Sequence, residues 1–380
     1  MKRQIIILLL AIVMLYSLTG CGSDTQQEIN QTETIAKATN NKSDEDTQSH
    51  TRTIIDLGGN EVEIPPVSEI EHVVVITPPV TSVLLEVIPD TDMIVGLSPK
   101  AFVYSNEDVM KKLFPNYKDI ETTFVGDDFS INTEALLALN PDIILYYGEN
   151  QRKGLENIGL PIINFFSPKL IDPKDVTVAW DNLLREIFET DGGESLETEW
   201  EYFDTKVEEI LVGQTKEPKR GLWVFSNVGG SLVAAGSSSF DSYAESFFEK
   251  AGIVNVATSI EGTAEVDMEQ IYEWDPDIIF VFHNVPAQRY LNNSIEGQDW
   301  SLLEAWENQA IYDIPQTAYS WGAPCADSPL MPLWLISKAY PELYGEEEFR
   351  SELSGYYRRL HNVTLTEENM DMILNLRDIK

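Results

Sequence analysis

Residues 137–148 read LALNPDIILYYG, and residues 273–284 read EWDPDIIFVFHN. Each stretch closes an apolar-periodic run, NTEALLAL in the first case and DMEQIYEW in the second. Each run stops at a proline, Asn140-Pro141 or Asp275-Pro276, and passes through Asp142 or Asp277 into a continuous apolar segment. A glutamate stands six residues ahead of each stop, Glu134 before Asn140 and Glu269 before Asp275. The residue before a proline is pushed out of the helical region, so each stop ends a helix. The apolar segment beyond it reads as a strand buried on both faces. The chain thus states one unit twice: helix, Pro-Asp, strand.

The flanking sequence extends this unit into two halves. TRTIIDLGGNEVEIPP (51–66) predicts a hairpin turning at Asp56-Leu57-Gly58-Gly59-Asn60. HVVVI (72–76), MIVGLS (93–98) and LPIINF (160–165) predict further strands around the first copy, in a lobe spanning 51–176. In the second half, 214–380, RGLWVFS (220–226) and DIIFVF (277–282) predict strands, and SYAESFFEKAG (242–252) predicts a helix. QTAYSW (316–321) reads as the last strand, before two closing helices. Alternating strands and helices predict an α/β protein with two doubly wound parallel-sheet lobes. Residues 177–213 lie between the lobes and carry two helical patterns, broken at Gly192-Gly193. In the second pattern Leu196, Trp200, Phe203, Val207 and Ile210 share one face. A long helix joining the lobes would act as a strut and allow little movement between them.

The 380 residues carry 63 acidic and 26 basic side chains, a net charge of −37. That field repels phosphates and excludes nucleic acid as a partner. No nucleophile elbow, phosphate loop, dinucleotide fingerprint or His-Glu-x-x-His pattern is present, which argues against an enzyme. The four histidines are few for a bare zinc or manganese site, and one of them, His50, lies in a polar segment. The chain begins with basic MKRQ and the apolar run IIILLLAIVMLYS, a signal-peptide pattern through residue 21. Residues 22–50 contain almost no large apolar side chains and predict a disordered tether. Cys325 then has no cysteine to pair with inside the folded body.

In open α/β sheets, ligands bind beyond the carboxyl ends of the strands. Two lobes facing one another make those ends into one cleft. Its candidate lining from the first lobe is Thr77, Ser98, Lys100, Tyr146, Tyr147 and Arg152. From the second lobe it is Gly230, Ser237, Ser238, His283, Arg289, Tyr319 and Trp321. Tyr147 and His283 are the candidate metal contacts, since phenolate and imidazole suit ferric iron. The aromatic faces suit an organic chelator or a corrin. Gly236-Ser237-Ser238-Ser239 offers donors to an oxyanion, and the basic side chains would meet a chelate's negative charge.

Several motifs carry a resemblance to a known family. LTGC (18–21) resembles the bacterial lipobox, which implies lipidation of Cys21. Asp56, Gly59, Val62 and Pro65 resemble an opening hairpin motif. The two Pro-Asp blocks, FFEKAGIVNVA and YSWGAPCADSPLMPLWLISKAYPELY complete the pattern. From about residue 52 to 375 the chain resembles the substrate-binding lipoproteins of ABC importers that capture iron–siderophore complexes, haem, cobalamin or metal oxyanions. The resemblance implies two α/β lobes joined by one helix, and no enzymatic activity or resident cofactor. It also implies a monomer anchored on the extracytoplasmic face of the membrane, delivering its ligand to ABC permease and ATPase subunits. The closing stretch resembles iron-type members, so the expected ligand is a ferric chelate. Corrinoids and molybdate- or tungstate-type oxyanions are the alternatives, with a surface lipoprotein outside transport as a further one. Family members dock the permease through acidic residues, for which Glu86, Glu245 and Glu249 are the candidates here.

Overall fold

The structure, a computed structural model, describes residues 51–239, 242–282 and 285–374. Cys21, the segment 22–50 and His283 lie outside the described residues. No described helix is long and apolar enough to cross a membrane.

The hairpin forms as expected, with β1 (Arg52–Ile55) antiparallel to β2 (Glu61–Ile64). Asp56 accepts the backbone N–H of Asn60 at 2.8 Å and that of Asn164 at 3.2 Å, pinning the turn to the first lobe. That lobe's sheet contains β3 (Val73–Val75), β4 (Ile94–Leu97), β5 (Ile143–Tyr146) and β6 (Ile162–Asn164). All four are parallel, in the order β4-β3-β5-β6. The connections carry α1 (Pro78–Val87), α2 (Lys100–Val103), α3 (Glu107–Leu113), α4 (Thr133–Ala138) and α5 (Gly148–Arg152). The strand order reverses at β3, which opens a crevice at the carboxyl ends of β3 and β5.

Two helices join the lobes, α6 (Pro173–Phe188) and α7 (Leu196–Leu211). The first begins at Pro173 rather than 177, because Asp172 caps it through the N–H of Lys174 and proline suits the first helical turn. The second doubles back along the first. Leu196 N–H donates to Asp181 at 3.2 Å, Trp200 Nε1–H to Thr177 Oγ1 at 2.9 Å, and Lys174 to Asp204 at 2.8 Å. These rungs run in opposite chain directions, so the two expected helices pack as an antiparallel hairpin. Gly192 and Gly193, at φ +96° and +79°, make its turn.

The second lobe's sheet has β7 (Arg220–Val228), β8 (Ser231–Ala235), β10 (Thr263–Val266), β11 and β12 (Ile311–Asp313), ordered β10-β8-β7-β11-β12. Here β11 spans Ile278–Val281, and the short β9 (Val254–Asn255) pairs with the start of β7. Strands β7, β11 and β12 are parallel, whereas β8 and β10 are antiparallel additions. Helices α8 (Ala244–Lys250), α9 (Met268–Trp274), α10 (Ala287–Leu291) and α11 (Glu304–Glu307) connect them. Then α12 (Met331–Ala339), α13 (Glu346–Leu360) and α14 (Glu367–Leu374) close the chain. The last strand is Ile311–Asp313, not 316–321. Beyond Pro315 the chain turns back on itself, with Thr317 N–H donating to Tyr319 C=O at 2.9 Å.

The repeated Pro-Asp has the same work in both lobes. Asn140 and Asp275 sit at φ +50° and +39°, ending α4 and α9. Asp142 then accepts the N–H groups of Glu71 and His72, each at 2.8 Å, while its own N–H donates to His72 C=O. Asp277 accepts the N–H of Arg220 at 2.8 Å and returns a bond to Arg220 C=O. Each aspartate therefore registers the entry of β5 or β11 against the central strand beside it. Alternation divides the apolar runs between the two faces of each sheet. Val73, Val75, Ile143 and Leu145 face a core that continues through α6, α7 and α13 into the second lobe, reaching Phe247, Phe280 and Trp334. Val74, Ile144 and Tyr146 face a separate cluster on the first lobe's outer side.

Candidate functional site

A cavity of about 490 Å³ lies between the carboxyl ends of the two sheets. Thr77 reaches it from the end of β3, Lys100 from the turn after β4, and Tyr147 and Gln151 from the segment after β5. Across from them stand Phe225 and Ser226 of β7, Tyr243 at the head of α8, Phe282 after β11 and Tyr319 after β12. Trp180 of α6 and Trp223 of β7 complete the lining. Gly322 has no room for a side chain, since a Cβ there would fall 2.3 Å from the ring of Phe282.

Aromatic contacts bridge the lobes. The Tyr147 and Tyr243 side chains approach one another at the cavity, and Tyr104 meets Tyr319 edge to face at 5.9 Å. Tyr147 also packs edge-on against Trp180, 6.1 Å between centroids. Burial raises the phenol pKa of Tyr147, only partly offset by the Tyr243 side chain, and burial likewise raises Tyr319. At neutral pH these groups are uncharged hydrogen-bonding phenols. Among the described lining residues Lys100 is the one charged side chain, and no carboxylate is present. The described residues contain no cluster of three or more His, Cys, Asp and Glu side chains able to hold a bare ion. The arrangement suits an organic ligand with flat or apolar surfaces and some negative charge.

Of the residues expected in the cleft, Thr77, Lys100, Tyr147 and Tyr319 line the cavity and the other described ones do not. Tyr146 alternates away from Tyr147 onto the outer face of the sheet. Ser98 is buried beneath the cleft. Arg152 faces outward in a polar groove beside Asp56 and pairs with Glu149 at 3.3 Å. Gly230 forms the exposed β7–β8 turn at φ +90°. The serine stretch is already committed: Ser237 Oγ donates to Ile260 C=O at 3.0 Å, and Ser238 Oγ accepts the Ser246 N–H at 3.0 Å. Arg289 bonds Ser294 on the surface of α10. Trp321 is fully buried, its Nε1–H donating to Thr317 Oγ1 at 2.8 Å. Cys325 is buried as well, and its thiol pKa is pushed up by that burial, which makes it a poor thiolate ligand.

The expected docking acid Glu86 is corrected by its burial. It lies inside the molecule against His361, with Oε1 2.7 Å from Nδ1, and both side chains are at most 2% exposed. Asp327 is buried nearby, accepting hydrogen bonds from Thr317 and Tyr357. Glu249 is exposed on α8, and Glu245 is half-buried one turn earlier.

The residues missed from sequence are mostly aromatic. Trp180 and Trp223 lie within regular elements, where an aromatic reads as core. Tyr243 comes four residues after Ser239 and marks the head of a helix, a usable signal. Phe129 sits in the irregular turn GDDFS (126–130), which gave none.

Residues 73–318, well over half of the chain, match the family model described as periplasmic binding protein. The molybdate-binding protein MolA of Haemophilus influenzae is 24% identical over 269 residues, covering 64% of this chain and 74% of its own. The Fe(3+)-citrate-binding protein YfmC of Bacillus subtilis is 23% identical over 229 residues, covering 59% and 69%. Among solved structures, a periplasmic solute-binding protein from Veillonella parvula superposes with a TM-score of 0.71 at 24% identity. It covers 86% of this chain and 98% of that one.

Proposed function

The chain belongs to the periplasmic binding protein family, the non-enzymatic substrate-binding components of ABC transporters, and from that premise we propose that its cargo is a ferric chelate of an anionic organic ligand. The observation that carries this reading is the cavity wall: aromatic rings, uncharged phenols and the Lys100 ammonium, with no described carboxylate. A volume of about 490 Å³ suits a small organic complex, within the range of roughly 300–1,000 Å³ usual for such pockets. The metal arrives already wrapped, so Tyr147 contacts the chelator rather than replacing it. The relative named for ferric citrate supports the same class. The relative named for molybdate supports an oxyanion instead, but Ser237 and Ser238, the donors expected for one, are bonded within their own lobe.

The lipobox-like LTGC supports anchoring through Cys21 on the extracytoplasmic face. Exposure on α8 supports Glu249 as the second lobe's contact with the permease, with Glu245 beside it.

Trp180 and Trp223 serve as reporters, since both line the cavity. Fluorescence titration of protein lacking the first 50 residues with ferric siderophores, ferric citrate, haem, cobalamin and molybdate tests the reading. Saturable quenching by an anionic ferric complex, weakened in Lys100→Ala, is the expected result. Tight binding of molybdate or cobalamin with no response to any iron complex would overturn it.

A further inference from the structure

Lys100 sits in a strongly acidic protein, yet among the described residues its side chain makes no hydrogen bond or ion pair. Its Nζ lies 4.6 Å from the ring centroid of Phe129, which also lines the cavity. Phe129 occupies an unusual backbone position, φ +63°, where a bulky L-residue is an outlier. The turn holds it there: Gly126 N–H donates to Ser130 C=O and Phe129 N–H to Gly126 C=O, both at 2.9 Å. Val125 and Ile131 bridge below the turn. Asp128, the acid beside Phe129, accepts the Ser130 N–H at 3.0 Å and feels the Lys100 charge only from beyond ion-pair distance. Backbone strain that the surroundings enforce is a pointer to function.

We propose that Phe129 is a specificity-determining residue that positions the Lys100 ammonium at the cavity wall without neutralising it, so that the site selects anionic over neutral complexes. A carboxylate partner would fix the lysine equally well but cancel its charge. An aromatic face attracts the cation through its quadrupole and leaves the charge available to the ligand. This inference rests on the ferric-chelate reading above and adds the charge of the complex to it.

The test compares a neutral ferric trihydroxamate with a trianionic ferric tris-catecholate by tryptophan quenching in wild type, Phe129→Gly and Phe129→Tyr. Glycine tolerates the positive φ, so the first variant keeps the turn, and its thermal midpoint, measured alongside, reports what the lost ring packing costs. It should lose roughly tenfold in affinity for the anionic complex, the scale of one cation–π contact, with little change for the neutral one. Phe129→Tyr should retain the preference. Lys100→Gln should lose the same preference, and combining it with Phe129→Gly should add nothing further. Equal losses for both complexes, or an unchanged preference in Phe129→Gly, would overturn the positioning role while leaving the chelate reading intact. Failure of wild type to bind either complex would overturn both.

Discussion

Tyr147 and Tyr243 bring phenol groups to the cavity wall from the two lobes. Tyr147→Phe removes a wall hydroxyl while keeping the ring against Trp180, so ligand affinity should fall by roughly two- to tenfold, one neutral hydrogen bond's worth, in a quenching titration. The buried pair Glu86–His361 gives a pH dependence of definite sign. Burial pushes His361 down, but the Glu86 carboxylate beside it, and then Asp327, outweigh this and raise it above its ordinary 6.5. A raised base contributes stability that is complete below 6.5 and disappears as pH climbs through the folded value. Glu86 and Asp327 are raised too, chiefly by burial, so the folded state holds extra protons there as well and the sign is the same. Urea midpoints should therefore fall as pH rises above 6.5 in wild type and fall less in Glu86→Gln/His361→Gln. A midpoint that rises over that range would contradict the assignment. The site was legible where a strand end could be located: Thr77, Lys100, Tyr147 and Tyr319 follow from that rule. Tyr146 and Trp321 show its limit, because one residue of alternation or one unseen turn sends a side chain to the core.

At the scale of elements, the helical hairpin depends on a side chain that belongs to both of its arms. Asp181 of α6 is buried, accepts the Leu196 N–H at the start of α7, and pairs with Arg185 at 3.0 Å. Asp181→Ala leaves the partly exposed Arg185 guanidinium with only the Gly192 and Glu194 carbonyls and orphans the buried Leu196 N–H, a loss of about 1–3 kcal/mol. The denaturation midpoint should drop with the slope unchanged, which separates lost stability from a changed denatured state. Both helical patterns were readable from apolar spacing, yet their antiparallel pairing was not, since period reports a face and not its partner. The parallel strands were readable as apolar, often β-branched runs, except β12, whose three residues Ile311–Asp313 are too short to show one. Strand β8 escaped because SLVAA is short and follows a turn taken for cleft lining. The false strand at 316–321 had the right composition, but its backbone bonds close locally around Thr317.

At the scale of the molecule, one apolar core passes from β3 and β5 through α6, α7 and α13 to the helices of the second lobe. Polar ties reinforce it: Asn106 N–H donates to Thr317 C=O at 2.7 Å, and Ala326 N–H to Ser82 Oγ at 3.0 Å. Such continuity predicts a single calorimetric transition for residues 51–380, with equal calorimetric and van't Hoff enthalpies. Two resolved transitions would mean that the lobes unfold separately. The same core has a kinetic consequence. Lobes that share it cannot swing widely apart, so the cavity stands ready when a ligand arrives and no slow rearrangement follows capture. In stopped-flow quenching the observed rate should rise linearly with ligand concentration, with a second-order constant in the range of roughly 10⁵–10⁷ M⁻¹s⁻¹ or above. Saturation of that rate would reveal a closure step. Without one, residence time rests on the walls alone, and rapid unloading must be driven from outside, by a partner that forces the lobes against their common core.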